Sequence, residues 1–240
     1  MTSKDALPKI VCMCGRDIGY QIAKFLLSRA EEVRFVVNEH DRTGEWYRTP
    51  RELDIIEITE DEIAQYHPDL IVVAFYDRIL PESIFSIPPL GSWNLHLGDT
   101  ERYRGAYPNI QALRNGDAAH AVTLHRIDAG IDSGDLLARD CFPISPVMTC
   151  KELYYIMVEQ GMKLFLECYK DLLSGQALRK TRTQNDTEAV TRYRRDLSHE
   201  VHPPAEFINS VRALTFPPFP PPYFMVGDHR FIVVEDKPQK

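Results

Sequence analysis

The sequence predicts an α/β fold: a mostly parallel, twisted sheet with helices on both faces, followed by a short C-terminal extension with a β-hairpin. Three observations predict it. Short runs at 9–13, 33–37 and 69–74 are apolar almost throughout, the pattern of strands buried on both faces. Amphipathic segments of helical period separate and follow them. The 240 residues can bury one sizeable core, with a short appendage beyond it. The expected division is a catalytic domain over 1–178 and an extension over 179–240.

In chain order, Lys9–Met13 is the first strand, and a helix over Ile18–Ala30 follows with Asp17 as its N-cap. The strand–Gly15–helix junction aims free N–H groups above the sheet edge, which suits a phosphate, and Arg16 would add a bidentate guanidinium. Arg16 reads equally as a surface arginine at a helix start. There is no Gly-x-Gly-x-x-Gly to suggest a dinucleotide. Val33–Val37 is the second strand. The polar stretch Asn38–Leu53 reads as a lid or substrate loop, with Trp46 as an anchor. A short strand is expected over Asp54–Ile58 and a Thr59-capped helix over Glu60–Tyr66.

Asp69–Ala74 is the strongest strand and hence central. A Rossmann-like sheet of this kind gathers ligands outside the carboxyl ends of its strands, and Phe75–Pro81 leaves this one there. Leu90–Leu95 is the strand that delivers Asn94 and His96. Tyr103–Gly105 reads as a turn, and Pro108 opens a helix to Arg114 as its first residue. Asn115-Gly116-Asp117 is a turn. Strands over Ala121–Ile127 and Asp135–Ile144 flank a loop around Asp132, and His125 on the first of them reads as structural.

A long helix runs from Thr149 to about Leu173 and stops at Gly175. Its core stripe is Leu153, Ile156, Met157, Met162, Phe165 and Leu166. Arg179–Arg195 is polar with several basic residues. A short helix is expected from Pro203-Pro204 to Leu214. Phe216–Phe224 reads as a stiff extended aromatic run, and Met225–Val234 as a hairpin turning at Gly227-Asp228.

Composition narrows the function. A net charge of −7 argues against a nucleic-acid partner, whose phosphates need a basic surface. No apolar run is long enough to span a bilayer, and the N-terminus has no apolar signal core. Five scattered cysteines suit a reducing cytoplasm rather than a disulfide framework. Cys12 and Cys14 read as a buried strand end. No second Cys/His pair at ligand spacing accompanies them, so no metal is expected.

The chemistry-bearing stretch runs from Trp93 to Asp135. Asn94 and His96, two apart on a strand, share a face. An amide beside an imidazole suits an acyl-type centre, one stabilising an oxyanion and the other handling a proton. Asp132, in a loop bounded by Gly130 and Gly134, could orient or charge the imidazole. No Ser or Cys nucleophile occupies a comparable setting, which favours direct transfer to a bound acceptor. Two polar residues on one strand are equally often a hydrogen-bonded strand end.

Taken together, Asn94-x-His96, Tyr103-Arg104-Gly105-x-x-Pro108 and Asp128-x-Gly130-Ile131-Asp132-x-Gly134-Asp135 resemble the signature of the folate-dependent formyltransferases. That family includes glycinamide ribonucleotide, methionyl-tRNA and amino-sugar formyltransferases. The resemblance runs from about residue 8 to about 175. It implies that Asn94, His96 and Asp132 transfer a formyl group from N10-formyltetrahydrofolate to an amine. It also implies that the loop with Asp77, Ile79 and Leu80, together with Asp128, Gly130 and Ile131, holds the folate. Where the family commonly has Ser-Leu-Leu-Pro, this chain has Leu97-Gly98-Asp99-Thr100, which resembles the nucleotide-sugar branch more. The C-terminal extension is also too small and too weakly basic for a tRNA-binding domain.

The expectation is therefore N-formylation of a nucleotide-linked amino sugar, dTDP-linked and dideoxy by preference. Such a reaction feeds O-antigen and lipopolysaccharide synthesis, and the enzyme would be a cytoplasmic homodimer. Acceptor contacts are expected from Arg16, Tyr103, Arg104, Gly105, Tyr107 and Tyr223, whose aromatic rings can stack and whose guanidinium groups can take a diphosphate. The competing readings are a glycinamide ribonucleotide formyltransferase, a formate-releasing hydrolase, and a non-catalytic folate or nucleotide-sugar sensor.

Overall fold

Strand β1 (Lys9–Cys14) splits its side chains between two cores. Ile10, Cys12 and Cys14 enter one, and Val11 and Met13 the other, as strand alternation requires. This is the signature of a sheet covered on both sides. In the computed structural model, which describes residues 7–29, 31–41, 44, 47–146, 148–175, 189–192, 197–198, 206–226 and 229–234, that sheet has six strands. β1 lies between β2 (Glu32–Val37) and β3 (Leu70–Ala74), parallel to both. β4 (Ser92–His96) extends the parallel set beside β3. The chain thus steps outward from β1 to β2, then returns past β1 to β3. This reversal opens a crevice at the strands' carboxyl ends.

Helix α1 (Arg16–Leu27) packs with the long C-terminal helix on one face. On the other face, α2 (Ile63–Tyr66) and α3 (Glu82–Phe85) bring Ile63, Tyr66, Ile84 and Phe85 to the second core. The N-cap of α1 is Gly15 rather than Asp17. Asp17 sits inside the first turn, where its carboxylate accepts the Arg48 N–H at 2.9 Å and the Tyr154 hydroxyl at 3.3 Å. The expected strand over Asp54–Ile58 reduces to a single bridge between Glu57 and Phe35. Thr59 does cap the next segment, which begins as a 3-10 turn (Glu60–Glu62) and continues as α2. Ala30 and Trp46, in the expected first helix and the polar loop, lie outside the described residues.

Beyond β4 the sheet turns antiparallel. The segment Tyr103–Gly105 is not a turn but a short strand, β5. Helix α4 (Pro108–Arg114) follows, with Pro108 in its first turn. β6 (Ala119–Arg126) and β7 (Leu136–Pro143) then complete the order β2-β1-β3-β4-β6-β7. Helix α5 (Cys150–Ser174) starts on a Thr149–Glu152 capping box and ends at Gly175, whose φ of 66° a side chain would strain. Leu153, Met157 and Phe165 of its stripe are buried, but Leu166 is 45% exposed, because the helix turns that side to solvent.

The polar segment after α5 is largely outside the described residues, but β8 (Val190–Arg192) pairs in parallel with β5. That distant partner explains why the 103–105 strand has no local signal. α6 (Phe207–Leu214) packs on α4 and α5 and buries Ala213 and Leu214; the expected start at Pro203-Pro204 lies outside the described residues. The aromatic run is not extended throughout. It turns after Phe216, whose carbonyl accepts the Phe219 N–H at 3.0 Å while the two rings stack. The hairpin is formed by β9 (Tyr223–Val226) and β10 (His229–Ile232); its Gly227-Asp228 turn is outside the described residues.

Candidate active site

Asn94 and His96 project from the same face of β4, next to the carboxyl end of β3. Antiparallel pairing sets His125 opposite Asn94 and Thr123 opposite His96 on β6. Cross-strand partners share a face, so His125 joins the pair. The loop between β6 and β7 supplies the fourth member. Asp128 ties that loop by accepting the Gly130 N–H at 3.0 Å and the Ser133 hydroxyl at 2.7 Å. Gly134 lies so close to the Arg126 carbonyl that a Cβ there would collide with backbone. The loop is thereby forced back over β4, with Asp132 in a left-handed conformation at φ 48°.

Asp132 is the hub. Its Oδ1 accepts the Asn94 side-chain N–H at 3.0 Å and lies 3.4 Å from His125 Nε2. Its Oδ2 accepts the Gly105 N–H at 2.8 Å and lies 3.5 Å from His96 Nδ1. Burial opposes its charge, but the His96 and His125 imidazoles and the Gly105 N–H outweigh that, holding its carboxyl well below the usual carboxylate range. The group is therefore a fixed anion at any working pH rather than a proton donor.

The tautomer of His125 follows from its neighbours. Its Nδ1 is 2.9 Å from the Arg126 carbonyl, which can only accept, so Nδ1 carries a hydrogen. Nε2 then serves as acceptor for Asn94 at 3.3 Å, or donates to Asp132 when the ring is protonated. His125 was expected to be structural. It is 2% exposed, yet it belongs to the cluster. The signal that could have found it is the β4–β6 register. For His96, Asp132 takes the Nδ1 side, and Nε2 faces the Gly98 backbone. A Cβ on Gly98 would come within 2.6 Å of that Nε2 and of Pro108 Cγ, so only glycine lets the chain pack this closely on the ring.

The other expected residues are dispersed. Arg16 stands above the carboxyl end of β1, with its guanidinium 4.4 Å from the Tyr47 ring centre and 5.3 Å from that of Phe75. Asp77 gives its N–H to Asn38 Oδ1 at 3.0 Å. Ile79 is 72% exposed, whereas Leu80 is buried in the second core and can offer only backbone. Ile131 is half-buried beside Asp132 in the chain.

Tyr103 is not displayed to a ligand. Its ring is buried and its hydroxyl is engaged by Asp117 at 2.6 Å and Asn115 at 2.7 Å. Arg104 donates to the Thr100 carbonyl at 3.1 Å, Gly105 contributes its N–H to Asp132, and Tyr107 caps α4. Tyr223 lies in the hairpin beneath the Arg230 guanidinium, at 4.1 Å. A separate open groove of about 580 Å³ lies between α1 and α5, lined by Tyr155, Met162 and Leu166 among others, and the cluster contributes nothing to it.

Known proteins resemble this chain in sequence and in fold. The formyl transferase family pattern matches residues 15–168. A methionyl-tRNA formyltransferase from Geobacter sulfurreducens is 30% identical over 239 residues, covering 90% of this chain and 74% of that protein. Its counterpart from Acidobacterium capsulatum is 33% identical over 179 residues, covering 70% of this chain and 56% of that protein. Among solved structures, an N-formyltransferase from Helicobacter canadensis in complex with folinic acid and dTDP-3-aminofucose superposes with a TM-score of 0.78 at 21% identity, covering 92% and 84% of the two chains. A 4-N formyltransferase from Francisella tularensis does so with a TM-score of 0.77 at 18% identity, covering 97% and 99%. At such identities the two structures show a shared fold.

Proposed function

This chain belongs to the formyl transferase family, and from that premise we propose that it moves a formyl group from N10-formyltetrahydrofolate to the amine of a nucleotide-linked, dTDP-type amino sugar. The observation that carries the reading is the convergence of Asn94, His96 and His125 on the Asp132 carboxylate at the carboxyl end of β4.

The donor set fits a folate. Exposed Ile79 and backbone groups of the 75–81 loop suit a flat ring with polar edges, next to the cluster's strand. When bound, N10-formyltetrahydrofolate supplies the formyl carbon. His96 Nε2 and an Asn94 N–H then donate to the formyl oxygen as it gains charge. Asn94 releases its long 3.3 Å contact with His125 to do so. Asp132 stabilises the positive His96 ring and keeps it oriented. With no Ser or Cys nucleophile in the cluster, the amine attacks the formyl carbon directly. The proton lost by the amine would end on N10 as the formyl C–N10 bond breaks and tetrahydrofolate leaves; His125 Nε2, on the acceptor side of its ring, would relay it while Asp132 stays the anion that steadies the charge.

Three findings support the sugar as acceptor. The net charge of −7 disfavours tRNA. A structure of this fold, the N-formyltransferase from Helicobacter canadensis, holds folinic acid and dTDP-3-aminofucose. Arg16 with Tyr47 and Phe75 offers a cationic, aromatic site for a nucleoside diphosphate. The product would serve surface-polysaccharide synthesis in the cytoplasm. Exposed Met225, Phe231 and Ile232 on a hairpin too small to be stable alone support a homodimer.

The test is to incubate the protein with N10-formyltetrahydrofolate and a panel of dTDP- and UDP-linked amino sugars, glycinamide ribonucleotide and methionyl-tRNA, reading each acceptor for the mass of one added formyl group. Gain on an amino sugar is expected. Gain only on methionyl-tRNA or on glycinamide ribonucleotide would reassign the acceptor, and formate without any acceptor would mark a hydrolase.

A further inference from the structure

Thr123 of β6 is the meeting point of two cross-strand pairs, with His96 of β4 on one side and Arg139 of β7 on the other. The three side chains therefore share one sheet face. Beyond His96 the chain leaves the sheet, and this row grips it at two consecutive residues. Thr123 donates its hydroxyl to the Gly98 carbonyl at 3.0 Å. Arg139 holds Asp99 through two bonds, Nε to Oδ1 at 3.0 Å and Nη2 to Oδ2 at 2.8 Å. Glu101 adds a second anion 3.4 Å from Arg139 Nε.

Asp99 is 3% exposed, and that fork compensates the burial of its carboxylate. Its backbone carbonyl in turn accepts the N–H groups of Arg102 at 2.9 Å and Tyr103 at 2.6 Å, and its Oδ1 accepts that of Glu101 at 3.3 Å. Arg104 closes onto the Thr100 carbonyl. The segment is thus a knot tied on Asp99. Its first residue, Gly98, borders His96 Nε2, and its last, Gly105, donates to Asp132.

We propose that Arg139 is a positioning residue for formyl transfer, its fork on Asp99 setting the 98–105 segment so that Gly105 reaches Asp132 and Gly98 packs against the His96 ring. The proposal rests on the reading of the cluster as the transfer centre. Arg139 itself touches no reacting atom. A lysine in its place keeps the charge but loses the planar fork, so it is a poor substitute.

The experiment compares wild type with Arg139→Lys, Arg139→Gln, Asp99→Asn and the Arg139→Gln/Asp99→Asn double variant. Hydrogen exchange at the Gly105 amide is read by NMR, with β1 and β3 amides as the control for intact fold. Exchange at Gly105 should quicken about tenfold or more in Arg139→Gln, and by less in Arg139→Lys, while the controls stay slow. Kcat should fall by about tenfold or more with KM for N10-formyltetrahydrofolate unchanged, and the double variant should be no worse than Arg139→Gln alone. Should Arg139→Gln fail to fold, Arg139→Lys decides by the same readouts. Wild-type Gly105 exchange and kcat in a folded variant would overturn the proposal. A wild type inactive on every acceptor would sink the transfer reading instead, and Gly105 exchange would still decide whether Arg139 sets the segment.

Discussion

At the scale of single residues, the cluster works because small spaces are kept and one charge is held. Gly98→Ala puts a methyl group where His96 Nε2 and the Pro108 ring already stand, 2.6 Å away. We expect a kcat loss of about tenfold or more together with a lower Tm, since the rigid Pro108 ring must shift too, measured by formyl transfer and thermal melting. His120 makes a second prediction. Its ring is buried between Tyr103 and Phe142, with centroids at 6.2 and 6.0 Å, and burial pulls its pKa down to about 4 despite the Asp99 carboxylate nearby. The unfolded chain therefore takes up this proton first as pH falls. The stability is whole above about 6.5 and drains away toward pH 4, with about 2 kcal/mol lost between pH 7 and 5. Urea unfolding at both pH values should show that loss in wild type and little of it in His120→Leu. Asn94 and His96 were legible in the sequence because a strand repeats every two residues. His125 was not, because its place depends on which residue of β6 faces Asn94, and register between distant strands leaves no local trace.

Elements follow the same division. Helix α5 was readable from end to end, since Thr149, Glu152 and Gly175 are local signals with local causes. Thr149→Ala should cost about 1 kcal/mol in chemical denaturation, because it removes the acceptor for the Glu152 N–H. The parallel strands were equally readable from their apolar runs. By contrast, β5 exists only because β8, far along the chain, pairs with it, and three residues of Tyr-Arg-Gly look like a turn until that partner arrives. Asp17 misled for a similar reason. A carboxylate beside a helix start resembles a cap, but Arg48 and Tyr154 had already claimed it.

In the whole molecule, the sheet order puts the reversal of chain direction and the cluster on the same edge; the reversal was implied by the run of strands and helices, the set Asn94, His96 and Asp132 by the resemblance of its motifs. How the last quarter attaches was not. We propose that residues 1–178 carry the chemistry and that 179–240 support it, because α6 places Ala213 and Leu214 in the principal core and Arg212 bonds the Met148 and Ser145 carbonyls at 2.9 Å each. A chain ending at 178 should then lose the cooperative melt of the full protein, as followed by circular dichroism. The transfer centre itself is tested most directly by the kcat of folded Asp132→Asn, assayed with N10-formyltetrahydrofolate and the amino sugar that accepts the formyl group. Loss of the anion that orients His96 should slow turnover by at least about a hundredfold. Near-normal kcat would contradict the account and move the chemistry away from this cluster.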